Sequence, residues 1–591
     1  MSIPFAQYLC QNGFSTTVSI EQRIQESKSQ GKSPTIVIDL MYYDQLEGYL
    51  NRPETNVKMG DLCGISRLRV QKLERFVANM KDWGAELIFV TNGAFFDTSG
   101  QIIPDQDDSK GNSKDWRYDL QCAITDYLGN EHYSRVAQDA RFIPIERIWT
   151  ESVVKVARKY GRILWAWDNT RHQEIVKVAS VNDALAIISK HFAVLMYSGL
   201  AFPRYKLWSL VDCSVQSMTT NEFDPLTIRR SLRLSAKQMR LLAALSDRYF
   251  GTATFVNFAE RMRFSSQRSV ANLIAYVRKT AGNLQELDYL KIARDLFGEE
   301  KYIEKFDEFK AVCESYDISK ITLSTEQNND CVSMQLKKQD SFNYDIYHGI
   351  KFTVSITFID YRYWEENGVD FYEVCMALYR RISGVILQHK KDPTLVRYVN
   401  IKRSHQEAYG TVELEPEYPE DFYVPSLEAI YSMAERPGVV TDVPDFNVRL
   451  LEFITGMPLD RSALEFFWKT DQRSQLQDSL TLCYMLKLNM MDTFEADMFL
   501  LGIHRCRREE PRLIPLPKNL NLRAFHLYFV YIKMRTLMKH SFYAAGLDDT
   551  FMDECYLDGL LFQNLFQQWR SAGDTESFRE EMTPLKRFRL H

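Results

Sequence analysis

A chain of 591 residues exceeds what one hydrophobic core usually organises, so about two to four domains are expected. Hydrophobic residues at 45%, aromatics at 13% and charged residues at 26% exclude a disordered chain. A formal net charge of −5 excludes a uniformly basic coat for nucleic acid, yet leaves room for a local basic face. Ten cysteines without a CxxC pair read as free thiols in a reducing compartment, not as a structural zinc site. The first residues, Met1 to Phe14, show no basic region ahead of an apolar core. No run approaches the roughly 20 apolar residues of a membrane helix. The expectation is a soluble intracellular protein of the nucleus and/or cytoplasm, with no membrane association.

The apolar run Thr35-Ile36-Val37-Ile38-Asp39 predicts a buried parallel strand ending in an acid. An amphipathic stretch from Leu68 to Met80 predicts a helix, and Leu87-Ile88-Phe89-Val90 a second strand. A polar insertion, Thr98 to Asp115, reads as a loop. Thr150 to Tyr160 predicts a helix closed by Gly161, followed by a strand over Ile163 to Trp167. Asn182 to Lys190 reads as helix and Phe192 to Tyr197 as strand. Ser235 and Gln238 form a capping box before a helix from Met239 to Leu245. Alternating strands and helices predict an α/β domain over residues 1–255, with a mostly parallel sheet. A helical extension is expected over 256–318, a linker over 319–345, and a mainly helical C-terminal domain over 346–591. That last domain carries apolar helical stretches from Tyr372 to His389, Leu476 to His504, Leu522 to Tyr543 and Met552 to Trp569.

Chemistry in an open parallel sheet concentrates at the carboxyl ends of the strands. On this reading those ends carry Asp39, Asn92 within Thr91-Asn92-Gly93, and Tyr197-Ser198-Gly199. These words and their spacing resemble the PIN-like core of flap-endonuclease-type nucleases. In that pattern a strand ends in Asp, a second ends Asp-Gly, a helix begins Glu-Ala-Glu-Ala, a third strand ends Asp-x-Asp and a later helix reads Leu-Gly-x-Asp. The resemblance implies two divalent ions, roughly 4 Å apart, held by those carboxylates. Mapped here, Asp39, Asp183 and Asp247 remain as acids, whereas Asn92, Val181, Tyr197 and Gly199 stand where others belong. Three acids do not build a two-metal cage. The expectation is therefore a degenerate nuclease site, no metal, no cofactor and no enzymatic activity. The Gly-Ile-Gly-Pro turn of active members is also absent, the matching region being Glu260 to Ser269.

A closer resemblance rests on Phe89-Val90-Thr91-Asn92-Gly93-Ala94, Leu241-Leu242-Ala243-Ala244-Leu245 and Ala275-Tyr276-Val277-Arg278-Lys279 with Asp288 and Leu296. Leu557-Asp558-Gly559-Leu560-Leu561-Phe562-Gln563 extends it. On these words the chain is similar to the constitutive coactivator of PPAR-gamma family, asteroid-like proteins with an endonuclease-like fold. The resemblance implies a non-catalytic scaffold that binds RNA and/or protein, with a part in gene regulation.

Arg229, Arg230, Arg233, Lys237, Arg240, Arg261, Arg263 and Arg268, with Phe264 among them, form the candidate nucleic-acid face. A solvated helix face is the plainer reading. A second group, Lys390, Lys391, Arg397, Lys402 and Arg403, lies further along. Leu557 to Leu561 fits LxxLL, but its apolar surroundings predict packing in a core. The ten histidines are far apart in sequence and show no metal-type spacing. RNA and protein partners are expected and no small-molecule substrate. The opposed hypotheses are a weak metal-dependent structure-specific nuclease and a pure protein-interaction platform.

Overall fold

The computed structural model describes residues 3–40, 67–92, 125–126, 150–166, 171–199, 204–246, 252–264, 269–280 and 286–321 in the first part of the chain. Further on it describes 323, 331–339, 341–350, 352–354, 359–390, 398–404, 406–407, 409–434, 445–470, 472–510, 514, 520–552, 557–572 and 576–590. The polar insertion from Thr98 to Asp115, Asp247, Arg268 and the stretch from Lys391 to Arg397 lie outside these residues.

The N-terminal part is built on a seven-stranded sheet. Its strands are β1 (Ser15–Ser19), β2 (Thr35–Asp39), β3 (Glu86–Asn92), β4 (Arg162–Ala166), β5 (Ala186–Ser189), β6 (Lys206–Ser209) and β7 (Thr219–Phe223), in the order β1-β7-β6-β5-β2-β3-β4. From β6 through β4 every pairing is parallel, while β7 and β1 close the other edge antiparallel. Side chains alternate across a strand, so consecutive residues of β2 feed two cores. Ile36 and Ile38 pack with Ile20, Ile24, Leu73, Phe76, Val77, Met80, Val153 and Ala157. Apart from the strand residues, these belong to the helices numbered α2 to α4 below. Val37 points the other way, among Phe5, Leu9, Ile175, Val176, Ala179 and Leu241.

The helices of the first face are Ile20–Ser29, Arg67–Asp82 and Thr150–Tyr160; with the opposite-face helix Ile3–Gln11 they are numbered α1 (Ile3–Gln11), α2, α3 and α4. The opposite face also carries α5 (Arg171–Val181), α6 (Pro225–Leu232), α7 (Ala236–Ser246), α8 (Thr252–Arg261), α9 (Ser269–Thr280), α10 (Glu286–Phe297) and α11 (Phe306–Ser315). Gly161 ends α4 as predicted, and its lack of a Cβ matters. A Cβ there would lie 2.3 Å from the Leu87 carbonyl oxygen, so only glycine allows the chain to turn directly into β4. The capping box before α7 also forms. The Ser235 N–H donates to Gln238 Oε1 (2.8 Å) and the Gln238 N–H to Ser235 Oγ (3.2 Å).

Several expectations are corrected by these elements. The segment predicted as a helix from Asn182 to Lys190 contains β5, and the predicted strand from Phe192 to Tyr197 begins with a 3-10 turn, Phe192–Leu195. A central strand buried on both faces needs only a short apolar run, and Ala186-Ile187-Ile188 supplies it. Phe258, Leu273, Val277, Ile292 and Phe309 share one core with the sheet, so no core boundary falls between 255 and 256. Within the expected linker, helices Cys331–Gln339 and Ser341–His348 bury Val332, Leu336, Phe342 and Tyr344. Polar composition misled there because the apolar residues recur at helical spacing inside it.

The C-terminal part is mainly helical. Phe371–Leu387, Leu476–Lys487, Thr493–Arg508, Leu522–Ala544 and Gly559–Ala572 pack on one another around a core that extends from Val332 to Phe588. A three-stranded sheet, β8 (Phe352–Thr353), β9 (Tyr398–Lys402) and β10 (Tyr409–Glu413), is added to it in the order β10-β9-β8. Leu557 is fully buried and Asp558 Oδ1 caps the following helix, accepting from the N–H groups of Leu560 and Leu561. The LxxLL match is thus core and cap. The two parts touch. The Arg67 N–H donates to Asp558 (3.1 Å), the Arg67 guanidinium to the Glu509 carbonyl (2.8 Å), Arg158 pairs with Asp549, and Ile532 packs on the α2–α4 face. Among the described residues, no helix is long and apolar enough to cross a membrane.

Candidate metal centre at the strand ends

The chain runs from β2 outward to β3 and β4, then returns to the other side of β2 to form β5 and β6. The direction of winding therefore reverses between β2 and β5, the position where open α/β sheets place their ligands. Ile36 to Ile38 pair with Ala186 to Ile188, which brings the ends of the two strands, Asp39 and Ser189, side by side.

Asp39 is completely buried. The Ser189 hydroxyl donates to its Oδ2 (2.9 Å), and the His191 backbone N–H donates to that same hydroxyl (3.0 Å). The carboxylate is thus oriented through β5 and the turn that follows it. Arg171, the first residue of α5, is nearly as buried and sets its Nε 3.5 Å from Asp39 Oδ1. His172, the next residue, lies over His191, with ring centroids 4.2 Å apart and an interplanar angle of 54°. One ligand atom each from Asp39, His172 and His191 all fall within 4.8 Å of one another. Burial, and then the neighbouring His172, Lys190 and Arg171, hold the His191 imidazole far below its ordinary pKa. Its ring is neutral at physiological pH, the form in which a histidine binds metal.

Three ligands at about 2.0–2.2 Å from a common ion stand roughly 3–4 Å apart, so the set needs only a small contraction to close. The sequence expectation named no metal ligand set, and its histidines are far apart along the chain. His172 and His191 are nineteen positions apart in the chain, and the α5–β5 return brings them to one point. No spacing rule finds such a pair. The available signal was β5 itself: once that strand ends at Ser189, His191 falls at its carboxyl end.

The other predicted site residues are placed as follows. Asn92 ends β3, paired in register with Ala166 of β4. Asp183 adopts a left-handed conformation (φ 45°) after α5 and before β5, at the opposite end of the sheet from Asp39. It faces Arg204 at 3.9 Å across solvent. Val181 is exposed at the C-terminus of α5, whose first residues are Arg171 and His172. Tyr197 is buried against Tyr316 (4.8 Å), and Gly199 follows the bridge between Ser198 and Asp317.

The basic residues divide. Arg229 donates to the Leu234 carbonyl (2.9 Å), Arg240 pairs with Asp317, and Arg261 donates to the last carbonyls of α10, Asp295 and Leu296. These three stabilise the fold. Arg230, Arg233, Lys237 and Arg263 are exposed, and Arg233 and Arg263 both close helices in left-handed conformations (φ 51° and 54°).

No family model matches the chain, and no curated protein matches it. Solved structures do. The catalytic core of Rad2 in complex with DNA substrate is 12% identical, with a TM-score of 0.28, covering 54% of this chain and 87% of that one. Human GEN1 in complex with Holliday junction DNA is 10% identical, with a TM-score of 0.29 and coverages of 71% and 89%. The Holliday junction-resolving enzyme GEN1 with product DNA, Mg2+ and Mn2+ is 12% identical, with a TM-score of 0.31 and coverages of 66% and 80%. The constitutive coactivator resemblance is not among these matches.

The expectation that the chain is not an enzyme is corrected by the Asp39, His172 and His191 cluster. It supplies ligand chemistry at the sheet's switch point by residue types that a search for carboxylates passes over. Strand order, the reversal between β2 and β5 and helices on both faces make this an open, mostly parallel α/β domain, joined to a mainly helical C-terminal region.

Proposed function

We propose that the protein is a metal-dependent phosphodiesterase acting on nucleic acid, with Asp39, His172 and His191 as its centre. The observation that carries this reading is the convergence of those three side chains at the switch point of the sheet. A divalent ion held there would act as a Lewis acid on a phosphoryl oxygen. Arg171, whose guanidinium already lies beside Asp39, is placed to face the same negative charge. The Rad2 and GEN1 structures hold DNA, and a phosphate-backbone ligand is the corresponding proposal for this chain.

A second reading, RNA binding in a scaffolding role alongside catalysis, is favoured by the exposed Arg230, Arg233, Lys237 and Arg263. One experiment addresses both. Purified protein is mixed with labelled single-stranded RNA, flap DNA and four-way junction DNA, with Mg2+, Mn2+ or Zn2+, following binding and cleavage together. Metal-dependent cleavage that disappears in Asp39→Asn supports the first reading. Binding to all three ligands without cleavage under any ion overturns it. Charge reversal at Arg230, Arg233 and Lys237 should weaken RNA retention about tenfold or more and flatten its salt dependence, as lost phosphate contacts do.

A further inference from the structure

The pair of magnesium ions expected for this type of fold does not fit the residues present. Magnesium requires near-octahedral oxygen coordination, usually from carboxylates and water. Here the cluster offers one carboxylate, Asp39, and two imidazoles. Of the acids expected to complete a two-metal cage, Asp183 lies at the far end of the sheet and Asp247 lies outside the described residues. The residue that begins α5 is not a carboxylate but Arg171, buried and 3.5 Å from Asp39. A second dication beside Asp39 would meet a guanidinium from which solvent is excluded, and the two positive charges repel.

We propose that the site binds one divalent ion of the zinc, cobalt and iron(II) class through Asp39, His172 and His191, with Arg171 supplying the positive charge that a second ion would bring. This deepens the functional reading above and changes its chemistry. Two imidazoles and a carboxylate favour borderline ions over magnesium. Three protein ligands leave at least one coordination position open for water or a phosphoryl oxygen. The outer contacts match those of a ligating carboxylate. Oδ2 of Asp39 accepts from Ser189, and Ser189 is fixed by the His191 N–H, so one chain of hydrogen bonds orients two of the three ligands. His172 comes from the first turn of α5, adjacent to Arg171, so the same helix start delivers a ligand and the fixed cation.

The test is titration of the full-length protein with Co2+ alone, following its visible absorption and the heat of binding, then competing with Zn2+ or Mg2+. The expected result is one ion per chain with a ligand-field band, displaced by Zn2+ and unaffected by millimolar Mg2+. His172→Gln, His191→Gln and Asp39→Asn should each weaken binding by at least about tenfold, and Ser189→Ala by less. Circular dichroism and thermal melting of each variant separate loss of the ion from loss of the fold. Arg158→Ala, on a helix of the opposite face of the sheet, serves as the folded comparison. Two ions per chain, Mg2+ competing as well as Zn2+, or unchanged Co2+ binding in both histidine variants would overturn the proposal. So would a sulfur-to-cobalt charge-transfer band in place of the expected spectrum, since a cysteine thiolate would then be a ligand. Cobalt binding as expected in a protein that cleaves nothing would leave this assignment standing and remove the nuclease reading. Cleavage supported by Mg2+ alone, with no cobalt site, would do the reverse.

Discussion

His526 shows how a single side chain in this fold couples stability to pH. Its ring stacks on Tyr363 with centroids 3.8 Å apart and is almost completely buried. Burial pushes its pKa down to about 3, with Arg523 and Arg362 acting in the same direction and Asp360 opposing them. The folded form therefore prefers the neutral ring. As pH falls below the ordinary histidine value of about 6.5, the unfolded chain takes up a proton that the folded chain refuses, and stability is lost. The loss from this residue approaches about 1.4 kcal/mol per pH unit and ends near the folded value. Urea unfolding at pH 7 and pH 5 should give a lower midpoint at pH 5, with a smaller difference in His526→Gln. An equal difference in the variant would exclude His526 as the source.

At the scale of elements, one buried carboxylate ties the helices of the C-terminal part together. Asp478, on Leu476–Lys487, accepts from Arg535 Nε (2.6 Å) and the Tyr531 hydroxyl (2.8 Å) on Leu522–Ala544. It also faces Arg507 on Thr493–Arg508 at 3.4 Å. Asp478 and Arg535 are both nearly inaccessible. Removing one member of such a pair leaves the other charge buried and uncompensated, a cost of about 3–5 kcal/mol. Asp478→Ala should show a loss of that size in chemical denaturation, and Asp478→Asn a smaller one because it keeps part of the hydrogen bonding. A loss below about 1 kcal/mol for the alanine variant would mean that Arg535 finds another partner. The same element reading explains the break between Leu476–Lys487 and Thr493–Arg508, which the sequence suggested as one helix. Asn489 adopts a left-handed conformation (φ 55°), and Asp492 with Glu495 starts the second helix by a capping box.

For the whole molecule, the contacts of Arg67, Arg158 and Ile532 join the sheet's α2–α4 face to the C-terminal helices. Ile532 contributes apolar burial, whereas Arg158 and Asp549 are each about two-fifths exposed (41% and 41%), so that ion pair is screened and adds little. The expectation is that Ile532→Asp separates one calorimetric unfolding transition into two, while Arg158→Ala leaves it single. A single transition in Ile532→Asp would mean that the joint rests on other residues.

The sequence by itself determined the α/β class, the first strand ending in Asp39, the turn at Gly161, the capping box at Ser235 and the burial of the LxxLL match. Each of these follows from local rules, whether periodicity, a missing Cβ or a short-range hydrogen bond. The central strand β5 was hidden because a strand buried on both faces shows no alternation, and the preceding helix pattern ran into it. The sequence reading placed strand ends at Tyr197 and Gly199, whereas in the structure β5 ends at Ser189, two residues before His191. Only the tertiary structure decided that Asp39, His172 and His191 share a site. Their proximity is produced by β5 returning beside β2 and by α5 packing over that junction, a non-local arrangement that no residue in any of the three segments specifies alone.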